Sequence, residues 1–187
     1  MRSKVFAVAA VGLLISVAGC STTTPTAVQV PPEIPTGITQ AQLCDSLLAF
    51  FTGELQAIDV QAVPVNPLDA ALSDGGICKI ARDQKDVGRW ESRSVPNDTD
   101  PTEGVTGFER RLNWDVPVWV LDERAHPEYV WSRVKLATRI EDWNARLEIR
   151  SSEVPTADGP LDLTDEQIDE AAQFLIEMTR TLIDGTR

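Results

Sequence analysis

Two neighbouring segments, residues 129–140 and 145–151, alternate strictly between two kinds of side chain. One set of alternating positions is mainly apolar: Val130, Ser132, Val134, Leu136, Thr138 and Ile140, followed by Ala145, Leu147 and Ile149. A period of two residues is that of a half-buried β-strand. The pattern therefore predicts an antiparallel hairpin with one face in the core, joined by Glu141–Asn144. We expect Ile140 to pair with Ala145, because a shift by one residue would mismatch the two faces.

The elements around this hairpin indicate the fold class. Capping-box spacings, Thr39 with Gln42 and Thr164 with Gln167, predict an N-terminal helix and a C-terminal helix that ends near Gly185. Further strands are expected at 77–82, 89–95 and 108–114, with a short edge strand at 118–121 and a loop over 62–76. Helices at both ends and strands between them favour an α+β fold. We expect an antiparallel sheet of about five strands, with both helices packed on one face.

The N-terminal segment has the features of an export signal. Arg2 and Lys4 precede an apolar run over residues 5–17, which is shorter than the roughly 20 residues of a membrane-spanning helix. The following Val17-Ala18-Gly19-Cys20 resembles the lipobox of bacterial lipoprotein precursors. That resemblance implies cleavage before Cys20 and a diacylglyceryl group on its sulfur, with acylation of the new amino terminus as a further option. An ordinary secretory signal with a chance cysteine is the alternative.

The domain organisation follows from this resemblance. Residues 1–19 would be the signal peptide, and residues 20–38 would be the lipidated Cys20 with a Thr/Pro-rich tether, which extends as a semi-rigid spacer. Residues 39–187 would form one globular α+β domain. The expected location is the extracytoplasmic face of the cell membrane, with the lipid anchor as the contact to the bilayer.

The other two cysteines, Cys44 and Cys78, form an even pair in an exported protein. A structural disulfide between them is expected in an oxidising compartment. Metal binding by these cysteines and His126 is the alternative, but their spacing is not that of a zinc site. We assign no metal and no cofactor.

The charge pattern suggests a ligand class. The formal net charge is −12, which disfavours nucleic acid as a partner. Yet the polar face of the hairpin gathers basic side chains beside a tryptophan, and we take these as a candidate anion-binding set: Trp131, Arg133, Lys135, Arg139, Arg146 and Arg150. At the expected register Arg139 lies opposite Arg146 and Lys135 opposite Arg150, which is unfavourable unless an anion lies between them. The ligand would be a phosphorylated envelope glycan, a lipid headgroup or an acidic protein. Neutralisation by Glu148, Asp142 and helix carboxylates is the alternative.

Catalytic motifs are lacking. No G-x-S-x-G, H-E-x-x-H or phosphate-binding glycine loop is present, and we assign no catalytic residue. An envelope hydrolase centred on His126, with Asp122 or Glu123, is kept as an alternative function.

A second alternative is an assembly partner of a membrane complex, which would use the wide apolar arc of the last helix. Beyond the lipobox the chain is similar in general pattern to small actinobacterial lipoproteins with two structural cysteines. The function we expect is a lipid-anchored, non-enzymatic binding or accessory module.

Overall fold

The computed structural model describes residues 37–95, 99–125 and 132–187. Helix α1 spans Gln40–Gly53 and helix α2 spans Asp165–Gly185. The main sheet contains seven strands in this part of the chain: β1 Gln61–Pro64, β2 Gly75–Arg82, β3 Lys85–Ser94, β4 Glu109–Arg111, β5 Val118–Asp122, β6 Val134–Ile140 and β7 Trp143–Ile149. A 3₁₀ turn at Ser151–Glu153 and a small ribbon of β8 Pro155–Thr156 and β9 Gly159–Pro160 lead to α2. The α+β class is confirmed.

The sheet is two antiparallel meanders joined at one seam. Its strand order is β1-β2-β3-β7-β6-β5-β4, and every neighbouring pair is antiparallel. Strands β1–β3 form one meander and β4–β7 the other, and β3 pairs with β7 between them. The segment that connects β3 to β4 must therefore travel from the centre of the sheet to its far edge.

Both helices begin at the predicted caps. The Thr39 side chain accepts a hydrogen bond from the backbone N–H of Gln42, and the Gln42 side chain accepts one from the backbone N–H of Thr39. Thr164 and Gln167 form the same reciprocal pair at the start of α2. Each box satisfies two backbone donors that have no partner within the helix. The predicted helix starts are confirmed.

The core lies between the helices and one face of the sheet, here called the inner face. Trp90, Leu147 and Leu136 form a cross-strand row on this face, and all three are fully buried. The buried residues of both helices belong to the same hydrophobic cluster, for example Leu47 of α1 and Leu175 of α2. The alternation predicted for the hairpin is confirmed within β6 and β7, whose apolar positions form this face; Val130 lies outside the described residues.

A disulfide joins α1 to the inner face. Cys44 and Cys78 are bonded, with Cα atoms 5.5 Å apart, and both residues are buried. The bond closes a loop with a sequence separation of 34, for which chain entropy gives a stabilisation of about 3–4 kcal/mol. The predicted pairing of these cysteines is confirmed.

The predicted strand list needs four corrections. The described sheet has seven strands rather than about five, and β1 lies in the segment expected to be a loop. This strand is short and ends in Pro64, so it carries little alternation for a pattern to detect. Strand β5 was expected at an edge but lies between β6 and β4, and β4 covers only Glu109–Arg111 of the predicted 108–114.

The predicted hairpin register was wrong by two residues. Ile140 pairs with Trp143 rather than with Ala145, since the turn contains only Glu141 and Asp142. Glu141 has a φ of 51°, in the left-handed region that two-residue hairpin turns require. Trp143 is buried and belongs to the strand rather than to the loop. A shift by two residues keeps every side chain on its face, so alternation alone could not exclude it.

Gly88 in β3 provides a test of the contact between the sheet and α1. A Cβ at this position would lie 2.1 Å from Cζ of the buried Phe51 ring. We expect Gly88→Ala to lower the free energy of unfolding by about 1–3 kcal/mol, because overpacking a close contact forces the ring or the strand to move. Chemical denaturation measures this difference.

Gly53 supplies the matched control, because a Cβ there meets no atom within 4 Å. Gly53→Ala should be neutral or stabilising by up to about 1 kcal/mol, as expected for alanine in a helix. Equal stability of the two variants would contradict the packing described here.

Candidate functional site

The sheet face opposite the helices, here called the outer face, carries cross-strand pairs of opposite charge. Glu91 lies directly opposite Arg146, and Glu148 lies between Arg89 on one side and Lys135 on the other. The two-residue shift in register replaces the expected Lys135–Arg150 pair with Lys135–Glu148, and it places Arg139 opposite the neutral Asn144. Pairs of opposite charge stabilise an antiparallel sheet, whereas like charges directly opposite destabilise it.

A connecting segment, residues 99–108, crosses this face on its way to β4 and is held by main-chain carbonyls. Arg146 donates to the carbonyl oxygens of Pro101 at 2.6 Å and Glu103 at 3.1 Å. Arg139 and Asn144 both donate to the carbonyl of Thr99, at 3.2 and 3.0 Å. Two of the predicted anion-binding arginines therefore fix the path of their own chain.

A basic cleft of about 190 Å³ lies between this segment and the sheet. Its charged lining residues are three cations and two carboxylates: Arg89, Lys135, Arg146, Glu91 and Glu148. Val105 and Phe108 of the connecting segment form its apolar side. The local excess of positive charge is opposite in sign to the net charge of the chain.

One residue that lines this cleft has a hydrogen-bond donor without an acceptor. Arg89 pairs through NH2 with Glu91 at 2.7 Å, but its Nε is buried and has no hydrogen-bond partner among the described residues. Leaving a charged donor unsatisfied costs more than leaving a neutral one. Lys135 is only loosely engaged, since its Nζ lies 3.7 Å from the Glu148 carboxylate.

A second cleft, of about 360 Å³, shares Glu91 and Arg146 with the first, but its lining has more carboxylates than cations. It adds Arg93 on the basic side and Asp100 and Glu103 on the acidic side, so carboxylates exceed cations. Asp100 is already engaged, because hydrogen bonds from the Thr102 side chain and backbone lower the pKa of its carboxyl. Of the two clefts, the smaller one is the better match to an anion.

The structure separates the predicted anion-binding residues into three groups. Lys135 and Arg146 line the basic cleft, and Arg139, like Arg146, holds the connecting segment. Arg133 is bonded to the buried Glu123, and Arg150 donates to Glu148 at 2.9 Å and to the carbonyl of Asp86 at 3.2 Å. Neither of these last two lines the cleft. Trp131 lies outside the described residues.

The sequence interpretation missed Arg89, although a signal was present. In β3 the residues Arg89, Glu91 and Arg93 alternate with Trp90 and Ser92, just as charged and apolar residues alternate in the hairpin. Assigning faces to this strand would have placed Arg89 with the basic set. The residue opposite Arg89 on β7 could not have been predicted from a local pattern, because β3 and β7 are far apart in the sequence.

The two carboxylates proposed to assist His126 are both bound to arginines. Arg124 donates from Nε and NH2 to the Asp122 carboxylate at 2.9 and 2.7 Å and also pairs with Asp165 at 2.6 Å. Hydrogen bonds from the Arg124 side chain and backbone hold the pKa of the Asp122 carboxyl below its usual value. Glu123 is engaged by Arg133. His126 itself lies outside the described residues.

Neither a metal centre nor a membrane-spanning helix is present in the part of the chain that the structure describes. In residues 37–95, 99–125 and 132–187, no group of three or more His, Cys, Asp or Glu side chains is arranged to hold a metal ion. No helix within the same ranges combines the length and the apolar character needed to cross a bilayer. Comparisons with protein-family models, curated proteins and solved structures found no match to this chain.

The Asp122–Arg124 pair predicts a pH dependence of stability. Because the pKa of Asp122 is lowered in the folded state, the carboxylate stabilises the fold above its usual pKa of 3.8, and this contribution is lost as the pH falls through the folded value. We expect Asp122→Asn to lower the free energy of unfolding near neutral pH by about 1 kcal/mol. The difference from wild type should vanish in acid, where both side chains are uncharged. Denaturation curves recorded from neutral pH to about pH 2 measure this difference in the free energy of unfolding.

Asp158 is the control, because it is exposed and its carboxylate makes no ion pair in the part of the chain described. Asp158→Asn should match wild type throughout. A deficit of Asp122→Asn that stays constant across the pH range would contradict the assignment.

Proposed function

We propose that this chain is a lipid-anchored, non-enzymatic binding module of the cell envelope, and that its basic cleft receives an anionic group. The observation that carries the ligand site is the buried Nε of Arg89, which lacks an acceptor beside Lys135 and Arg146. A phosphate or carboxylate oxygen would satisfy this donor once the Arg89 side chain turns it toward the cleft, since the atom itself is buried. Charge-assisted hydrogen bonds of this kind are about twice as strong as neutral ones.

The size and composition of the basic cleft limit the ligand class. A volume of about 190 Å³ is below the range of roughly 300–1,000 Å³ that is usual for pockets binding drug-sized molecules. The cleft therefore suits one compact charged group, such as the phosphate of an envelope glycan or of a lipid headgroup. The apolar side formed by Val105 and Phe108 would contact the carbon atoms next to that group.

The cysteine count supports the anchoring part of the proposal. Cys44 and Cys78 bond to each other, which leaves Cys20 of the lipobox-like Val-Ala-Gly-Cys sequence as the remaining cysteine. A thioether-linked diacylglyceryl group together with an amino-terminal acyl chain would give the two lipid signals that stable membrane attachment requires. The disulfide agrees with an oxidising compartment outside the cytoplasm.

Replacing Cys20 tests the anchor. Cys20→Ser should abolish lipid modification and move the protein from the membrane fraction to the soluble or secreted fraction, with the Cys44–Cys78 disulfide retained. Fractionation and intact-mass measurement follow both effects in the native host. Membrane retention of Cys20→Ser with an unchanged lipid mass would refute the assignment.

Arg89 tests the cleft. In the full-length chain we expect Arg89→Gln to weaken binding of inorganic phosphate and glycerol phosphate about tenfold, because one charged donor contributes roughly 1.5–3 kcal/mol. Binding is followed by chemical-shift titration of the cleft amides.

Arg93→Gln is the matched control for charge. Arg93 lies on the same strand and the same face, but it lines the neighbouring acidic cleft and makes no ion pair in the described chain. The control should bind the phosphate probes as wild type does. Equal weakening by both substitutions would indicate a nonspecific charge effect and would contradict the site, as would the absence of phosphate binding by the wild-type chain.

A further inference from the structure

On the helix side of the domain, α1 and α2 form a groove that the basic cleft does not use. Its floor is an aromatic pair, Phe50 of α1 and Phe174 of α2, whose rings stack with centroids 4.6 Å apart and an angle of 14° between their planes. The groove has a volume of about 460 Å³. Phe174 is partly exposed along it, so an apolar surface is accessible from solvent.

The rim of this interhelical groove is acidic, and its carboxylates have no basic partner among the described residues. Glu54, Glu170 and Glu177 line it, and none of the three makes an ion pair in the described part of the chain. Glu177 accepts a hydrogen bond from the neutral Gln173 at 2.7 Å. Arg180 is the one basic residue in either helix, and it is engaged by Asp115. This contrasts with the outer face of the sheet, where nearly every carboxylate has a basic neighbour.

The end of α1 adds to the negative potential. Glu54 is the C-cap residue of α1, and the last turn of this helix contains no basic side chain. Helix C-termini carry a partial negative charge and are stabilised by cations, so an acidic residue at this position is unfavourable on its own. A positively charged group in the groove would relieve this repulsion and the repulsion between the rim carboxylates.

We propose that the interhelical groove docks a basic segment of a partner protein. Lysine or arginine side chains would lay their aliphatic stems over the Phe50–Phe174 pair and place their charged ends against Glu54, Glu170 and Glu177. The partner differs from the chain itself, because a second copy with a net charge of −12 would be repelled. Bilayers and nucleic acids carry the wrong sign for this surface.

The proposal is tested by titrating the full-length chain with a short leucine–lysine peptide of helical period. The wild-type chain should bind this peptide at low salt and should fail to bind the same peptide with glutamate in place of lysine. Glu170→Gln/Glu177→Gln should weaken binding about fivefold, as expected for the loss of two partly exposed charge contacts. Phe174→Leu should also weaken peptide binding, and its effect relative to wild type should be larger at high salt. Salt screens the charge contacts, so the apolar contact then contributes more of the binding energy.

The control removes the same charge from the same helix outside the groove. Glu166 and Asp169 are exposed on α2 and do not line the groove, so Glu166→Gln/Asp169→Asn should change the affinity less than twofold. Equal losses in the two double variants would overturn the proposal, since binding would then reflect net charge alone. Binding of spermidine as tight as that of the peptide, with the same dependence on Phe174, would also overturn it in favour of a small polyamine.

Discussion

The architecture depends on the pairing of β3 with β7. This seam joins the two meanders, and it places Trp90 against Leu147 at the centre of the core. It also sets the charge pattern of the opposite face, because Arg89 meets Glu148 and Glu91 meets Arg146 only at this register. One set of backbone hydrogen bonds therefore determines both the packing under the helices and the electrostatics of the basic cleft.

The same seam forces the connecting segment across the outer face. A chain that leaves β3 at the centre of the sheet has to reach β4 at the edge, and Arg139, Asn144 and Arg146 bind its carbonyls on the way. Charged side chains thus act here as structural ties, while the basic cleft beside them keeps the Arg89 donor without an acceptor among the described residues. Arg146 both ties the connecting segment and lines the cleft, while Arg139 ties the segment and Arg89 lines the cleft, so residue type alone could not distinguish these positions.

The reach of sequence reasoning differs between local and long-range features. The helix caps at Thr39 and Thr164, the two faces of the hairpin and the Cys44–Cys78 pair follow from local chemistry or from counting, and all were predicted correctly. The register failed because a period of two leaves shifts by two residues undetermined, and Trp143 was assigned to the turn. The contribution of Arg89 was missed because it arises from a strand pairing that no local pattern encodes. The interhelical groove combines Phe50 with Phe174 across more than half of the chain, and it was invisible for the same reason.

The two ends of the sheet have a consequence for how this protein meets others. At one end β1 is four residues long and finishes at Pro64, and at the other β4 is three residues long and consists of Glu109, Arg110 and Arg111. Proline has no N–H to offer an incoming strand, and charged side chains on a short strand discourage its approach. The sheet is therefore closed to growth by strand addition, which protects it from edge-to-edge aggregation even where many copies are crowded together. The two proposed sites accordingly use side chains rather than an open strand edge: the basic cleft lies on the outer face of the sheet, and the acidic interhelical groove lies between the helices.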